Sequence, residues 1–265
     1  MQIPARRSAW TADELKQAFY FYCQTSFGKL HSRNPDIIRL AKLLGRTPSA
    51  LAMKLVNFAS LDPSITATGR KGLSGASKLD RAIWDEFHAD WERLTVESEQ
   101  LTRQLLQHNK QAELMPSKSA DELSAADFSG ETRQAITQKR LKQNFFRNAV
   151  LSSYRDRCCI SGVSERRLLV ASHIVPWSID KSNRLNPSNG LCLSAIHDKA
   201  FDSYLFSLSD DWRVVLSPTL KATRDGFLRK IFWPIDEKPI ELPERFAPDV
   251  ALVERHRQIM MRAIG

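Results

Sequence analysis

Cysteine is scarce in this sequence: Cys23, Cys158, Cys159 and Cys192 are the four among 265 residues. No two stand in C-x-x-C spacing, so a four-thiolate zinc centre has no framework here. The thiols are expected as small buried apolar groups in a reducing compartment. Long apolar runs are missing as well, and none approaches the length of a bilayer-spanning helix. The opening Met1-Gln2-Ile3-Pro4-Ala5-Arg6-Arg7 has basic residues with no apolar stretch behind them. No secretory leader is expected from it, and the expected compartment is the cytoplasm. Acidic residues are the minority charge, 30 against 39 basic, for a formal net charge of +9. That balance favours a polyanionic partner, either nucleic acid or an anionic surface. No internal repeat is found.

What is present suffices for a folded chain. Apolar residues make up 42% and charged residues 26%, ordinary for a globular protein and enough to build a core. The chain divides into three parts. Residues 8–90 read as a helical module. Thr11 and Glu14 form a capping box that opens a helix carrying Leu15, Ala18, Phe19 and Tyr22. A second helix fits Pro35 to Leu44 and stops at Gly45. Thr47 as N-cap and Pro48 at the first helical position open a third, bearing Leu51, Ala52, Leu55 and Phe58. Two helices joined by a short turn with glycine form a helix-turn-helix pattern. The polar side of the third helix would then present Arg46, Ser49, Lys54 and Asn57 to DNA; the competing reading is a plain helix pair with a solvated face.

Residues 91–135 begin with a charged amphipathic helix from Trp91 to Ala112, with Leu94, Leu101, Leu105 and Leu106 on one side. A homodimer joined through this helix is one arrangement it allows. Glu113 to Thr132 is rich in Ser, Ala, Asp and Glu and reads as a linker. Residues 136–265 open on a basic helix. Around its start and along it lie Arg133, Lys139, Arg140, Lys142 and Arg147, with Phe145, Phe146, Val150 and Leu151 as the apolar face. Lys139, Arg140 and Arg147 suit a phosphate backbone.

The chemistry is concentrated between Leu168 and Asp202. Leu168 to Val170 is β-prone and places His173 at a strand end. Asn189-Gly190 reads as a turn, Leu191 to Leu193 as a second strand, and Ser194 as the N-cap of a short helix bearing His197. Strand, loop, strand and helix make a ββα unit. Asn189 stands sixteen positions after His173, and His197 eight beyond Asn189. His31, His88, His108 and His256 have no such context and read as surface or packing residues.

This ordered set resembles the HNH, or ββα-metal, endonuclease family. The residues that carry the likeness are Cys159-Ile160-Ser161-Gly162, Ala171-Ser172-His173-Ile174-Val175-Pro176-Trp177, Asn189-Gly190-Leu191-Cys192-Leu193 and His197-Asp198-Lys199-Ala200-Phe201-Asp202. It covers about Cys158 to Pro218 and extends weakly to Leu242-Pro243 and a closing helix around His256. The fold it implies is α+β: the N-terminal helical, helix-turn-helix-like module followed by a C-terminal ββα-metal nuclease domain. The activity it implies is cleavage of DNA with a divalent metal, Mg²⁺ or Mn²⁺ before Zn²⁺ or Ni²⁺, with no membrane partner, in a setting of restriction or defence. By the same resemblance His173 is the general base, Asn189 orients it or reaches the metal, and His197 is a metal ligand. Asp202 is the carboxylate preferred beside it, while Asp198 reads as a surface or capping residue. Many family members carry Asp or His just before the base; here that position is Ser172, a poor Mg²⁺ ligand. A non-catalytic DNA-binding protein on a decayed scaffold is therefore the rival reading.

Overall fold

A computed structural model describes residues 9–67, 75–108 and 130–262, with side chains left aside at 108 and 130–137. The first helix, α1 (Ala12–Cys23), starts where expected. The Thr11 hydroxyl accepts the Glu14 amide while the Glu14 carboxylate accepts the Thr11 amide. Asn34 caps α2 (Pro35–Leu43) through the Asp36 amide, with Pro35 in the first turn. Gly45, at φ +63°, takes the left-handed residue that ends this helix. Thr47 caps α3 (Pro48–Ala59), again with proline in the first turn. A single turn, α4 (Pro63–Thr66), follows. The helix α5 (Lys78–Ala89) is opened by a second capping box, Ser77 with Asp80. Next comes α6 (Trp91–His108).

These helices close around Phe19. Its ring packs on Tyr22, Phe58, Trp84, Phe87 and Trp91 with centroids 4.7–6.2 Å apart. Such aromatic pairs each contribute about 0.5–1.5 kcal/mol beyond the area they bury. Trp91 and Leu94, the first turn of the α6 apolar stripe, are buried in this cluster within one chain. The stripe is therefore covered without a second copy over that turn. Residues 109–129 lie outside the described residues, so most of the expected linker is not placed, and neither is the Met1–Arg7 segment.

The long helix α7 (Gly130–Ser153) leads into the second half. Its buried Phe145, Phe146, Val150 and Leu151 join the N-terminal helices to a two-stranded antiparallel ribbon. The strands are β1 (Leu169–His173) and β2 (Gly190–Ser194), with Ser172 opposite Leu191 and His173 opposite Gly190. Directly after β2 comes α8 (Ala195–Asp202). A second ribbon pairs β3 (Phe206–Leu208) with β4 (Val214–Leu216). Two short helices follow, α9 (Pro218–Lys221) and α10 (Gly226–Phe232). The chain then runs as a strap to α11 (Val250–Arg262), which packs on β3.

The strap stitches the halves together. Arg245 is wholly buried, donates to the Tyr22 carbonyl of α1 and lies 3.0 Å from Ser152 Oγ of α7. The Phe246 amide donates to Asp62, and the Ala247 amide to Ser64 Oγ. One apolar core runs without a break from Leu15 to Val253. No helix among the described residues is long and apolar enough to cross a membrane.

Candidate active site

Strand pleat decides what β1 presents. Successive side chains point to opposite faces, so Ser172 and His173 face different helices. His173 lies flat on Phe146 of α7, ring centroids 3.8 Å apart and planes within 7°. Its Nε2 is 3.0 Å from the Arg184 carbonyl oxygen. A carbonyl only accepts, so Nε2 carries the proton and Nδ1 is the basic nitrogen. Burial lowers the pKa of this imidazole, and the Arg184 carbonyl and the charge on Asp198 oppose the shift without cancelling it. His173 is thus a neutral base of fixed tautomer at neutral pH.

The loop between the strands is held by Asn189. It is fully buried. Its Oδ1 accepts the Val175 amide at 2.9 Å, and its Nδ2 donates to the carbonyls of Val175 and Asn183 at 3.0 and 3.1 Å. Its own carbonyl accepts the Ile174 amide. Asn189 sits in a 3-10 turn, Pro187–Asn189, and Gly190 is extended at φ −132°. The pair is therefore not the tight Asn-Gly turn that the sequence suggests. Asn189 orients the residues just after His173 through backbone, and both ends of its amide are engaged there.

The face of α8 toward Ser172 carries Asp198 and, one turn on, Asp202. Burial raises the pKa of Asp198; Ser172, Lys199 and His173 pull the other way. Burial also raises Asp202, and the charge of Asp198 adds to it against Lys199. The Ser172 hydroxyl is buried near Asp198 without a well-formed hydrogen bond among the described residues. His197 is turned inward instead. It is buried, with Nδ1 2.8 Å from Ser194 Oγ and 3.6 Å from Cys158 Sγ, and its ring meets Phe232 edge-on. Ser194 thus bonds His197 and not the helix amides it was expected to cap. Burial pushes the Cys158 thiol up, but hydrogen bonds from His197 and Ser161 outweigh it and bring it down to about 6.

Of the expected site residues, Asp202 shares with Asp198 the helix face toward Ser172, His173 faces α7 from the end of the same strand and feels the Asp198 charge, Asn189 braces the loop after His173, and His197 points into the core. The sequence reads Asp198 as a surface or capping residue and Phe146 as one of an apolar helix face, and does not single out Arg184. Asp198 was signalled by its four-residue spacing from Asp202; the Arg184 carbonyl carries no side-chain signal. Among the described residues no three His, Cys, Asp or Glu side chains converge closely enough to hold an ion. Two carboxylates on one helix face, each raised by burial, remain a fit for a hydrated hard cation, which keeps several waters and needs few protein ligands. Such oxygen donors suit Mg²⁺ or Mn²⁺ before Zn²⁺.

The candidate DNA contacts divide. Arg46 is bidentate to Glu14 at 2.9 and 2.7 Å, donates to the Ala9 carbonyl and lies over Trp10. Lys54 pairs with buried Asp80 at 2.9 Å. Asn57 is buried and donates to the Gly75 carbonyl. Ser49 is exposed. On α7, Lys139 and Arg140 are exposed, whereas Arg147 donates to the carbonyls of Leu169 and Arg166. His88 and His256 are packing residues, as read. His88 stacks on Trp84, and His256 stacks on Phe201 between Ser207 and the Phe201 carbonyl. The side chain of His108 lies outside the described residues.

An antiparallel ribbon with an imidazole at its end, backed by a helix with carboxylates, is a ββα arrangement. Residues 158–209 match the family model of HNH endonucleases, which places an HNH domain over β1, β2, α8 and β3. No curated protein matches the chain.

Proposed function

We propose that the chain is a metal-dependent DNA endonuclease. The observation that carries this reading is His173: its proton is pinned on Nε2 by the Arg184 carbonyl, so Nδ1 is left as the basic nitrogen at the strand end, under the influence of the Asp198 charge. In this reading His173 Nδ1 takes the proton from the attacking water. Phe146 fixes the ring plane, and Asn189 fixes the loop that supplies the Arg184 carbonyl. Asp198 and Asp202 would hold Mg²⁺ or Mn²⁺, which supplies charge stabilisation at the phosphate and leaving oxygen. Lys139 and Arg140 would contact phosphates along the exposed face of α7. Restriction or defence is the setting that the family resemblance implies.

The test is plasmid cleavage with Mg²⁺, Mn²⁺ or EDTA. Wild type should nick or linearise DNA only with metal. His173→Ala should lower the rate by about 100-fold or more. Asp198→Asn should need far more metal, and His197→Ala, if it folds, should act through stability. Metal-independent cutting, or full activity in His173→Ala, would defeat the assignment. The rival reading, a DNA-binding protein on a decayed scaffold, is favoured by Ser172 at the ligand position and by the lack of a third converging ligand among the described residues. Gel shifts without cleavage under every metal would establish it.

A further inference from the structure

Beside His173, and lined in part by it, lies a recess of about 270 Å³ on the side of the strand away from the carboxylates of α8. Phe146, Val170, Ala171 and Leu185 are its apolar walls; Trp177 and Gln143 stand with them, and His173, Arg184 and Arg147, the last tied to the Leu169 and Arg166 carbonyls, complete the lining. The Trp177 ring is only partly covered. The Arg184 guanidinium lies 5.3 Å from its centroid and the Lys139 ammonium 5.7 Å. Arg184 is itself fixed, its Nε donating to the Trp177 carbonyl at 2.9 Å. The Gln143 amide is exposed and makes no hydrogen bond to another described residue.

The combination selects a class of ligand. A phosphate would want free cations and amides throughout, whereas Arg147 and Arg184 are bonded to backbone carbonyls and most of the remaining wall is apolar. An aliphatic group would not need an amide and two cations at the edge. A flat heterocycle fits both, since it stacks on an aromatic ring while its edge meets an amide and its attached phosphate meets the cations. The same residue, Arg184, borders the recess with its side chain and holds the base with its carbonyl. A base seated there would thus be one link from the reacting phosphate.

We propose that this recess receives one unpaired nucleobase of the strand being cut, stacked on Trp177 and read at its edge by Gln143. The inference rests on the nuclease reading for its location, but not on cleavage for its test. Lys139, on a long exposed stem, exchanges the Trp177 ring for the phosphate of that nucleotide. Paired bases cannot enter, so the substrate is single-stranded at this nucleotide or has it turned out of the duplex.

The test is binding of fluorescein-labelled oligothymidylate, in EDTA, against an abasic oligomer of the same length. Wild type should bind the base-bearing strand roughly ten-fold more tightly, the range for one stacked base. Trp177→Ala should erase that preference and leave abasic binding unchanged, and Trp177→Phe should restore most of it. Gln143→Ala, on an exposed helix position, should keep abasic binding while altering the ratio of oligothymidylate to oligodeoxyadenylate. Equal losses on both oligomers in Trp177→Ala would overturn the proposal, as would retained preference. Should Trp177→Ala fail to fold, an unchanged ratio in Gln143→Ala overturns it alone. Wild type that binds neither oligomer nor duplex defeats the nuclease reading, and this inference with it.

Discussion

At Gly190 the missing side chain matters more than backbone freedom, because its φ of −132° is open to any residue. A Cβ there would stand 2.4 Å from Val150 Cγ2 and 3.0 Å from Phe146 Cζ. Both belong to α7, and Phe146 is the ring on which His173 lies. Gly190→Ala is therefore expected to destabilise the protein by about 1–3 kcal/mol. It should also lower cleavage beyond what lost folded protein explains, since Phe146 must move. Thermal melts beside rates at saturating metal check this; unchanged melting would show that α7 sits farther from β2. The sequence shows an Asn-Gly pair here but not its purpose. A turn reading rests on local chain preference, whereas the requirement comes from a helix forty residues earlier. Asp198 was obscured in a similar way. Helical spacing sets it with Asp202, but only the packing of α8 on β1 decides whether that face or the His197 face looks toward Ser172.

Among the elements, the helix ends were legible because capping is local chemistry. Thr11, Asn34 and Thr47 all act on amides two or three residues away. The helix α5 went unread because its box closes with Asp80 rather than Glu or Gln. The reading of α3 as a DNA-facing helix meets a different obstacle. Periodicity says which side is polar, not whether another part of the same chain covers it. Glu14 and Asp80 lie over Arg46 and Lys54 here. Arg46→Ala is expected to cost roughly 1–3 kcal/mol of stability, the worth of hydrogen bonds to a charged partner, and to leave the salt dependence of DNA binding unchanged. Lys139→Ala should do the reverse, with stability kept and the slope reduced by about one phosphate contact. Titrations at several salt concentrations separate the two, and a reduced slope for Arg46→Ala would return α3 to the DNA interface.

For the whole molecule, the expected division into module, linker and nuclease domain meets a core that does not divide. The strap from Glu244 to Ala247 touches α1, α4 and α7 at once, with Arg245 buried among them. The Arg245 guanidinium lies 4.7 Å from the Tyr22 ring centroid and 5.7 Å from that of Phe246, and the side chain is wholly buried. Removing such a group strands its partners. Arg245→Ala should cost on the order of 3 kcal/mol, and wild type should melt in one transition reported alike by tryptophan fluorescence and by loss of DNA binding. Two transitions would mean that the halves fold independently. No feature of sequence near residue 245 points to α1, because the contact spans more than two hundred positions.

The pleat of β1 has a last consequence, for folding fidelity. His173 and Ser172 belong to opposite faces, so a slip of one residue against β2 would present the hydroxyl to α7 and the imidazole to α8. Such a ribbon would lift the imidazole off Phe146 and away from the Arg184 carbonyl that fixes its tautomer. The close approach of α7 at Gly190 forbids it, because every neighbouring residue of β2 brings a Cβ into the space that Val150 and Phe146 occupy. The notch that admits the helix is thus also the key that admits only one alignment of the strands.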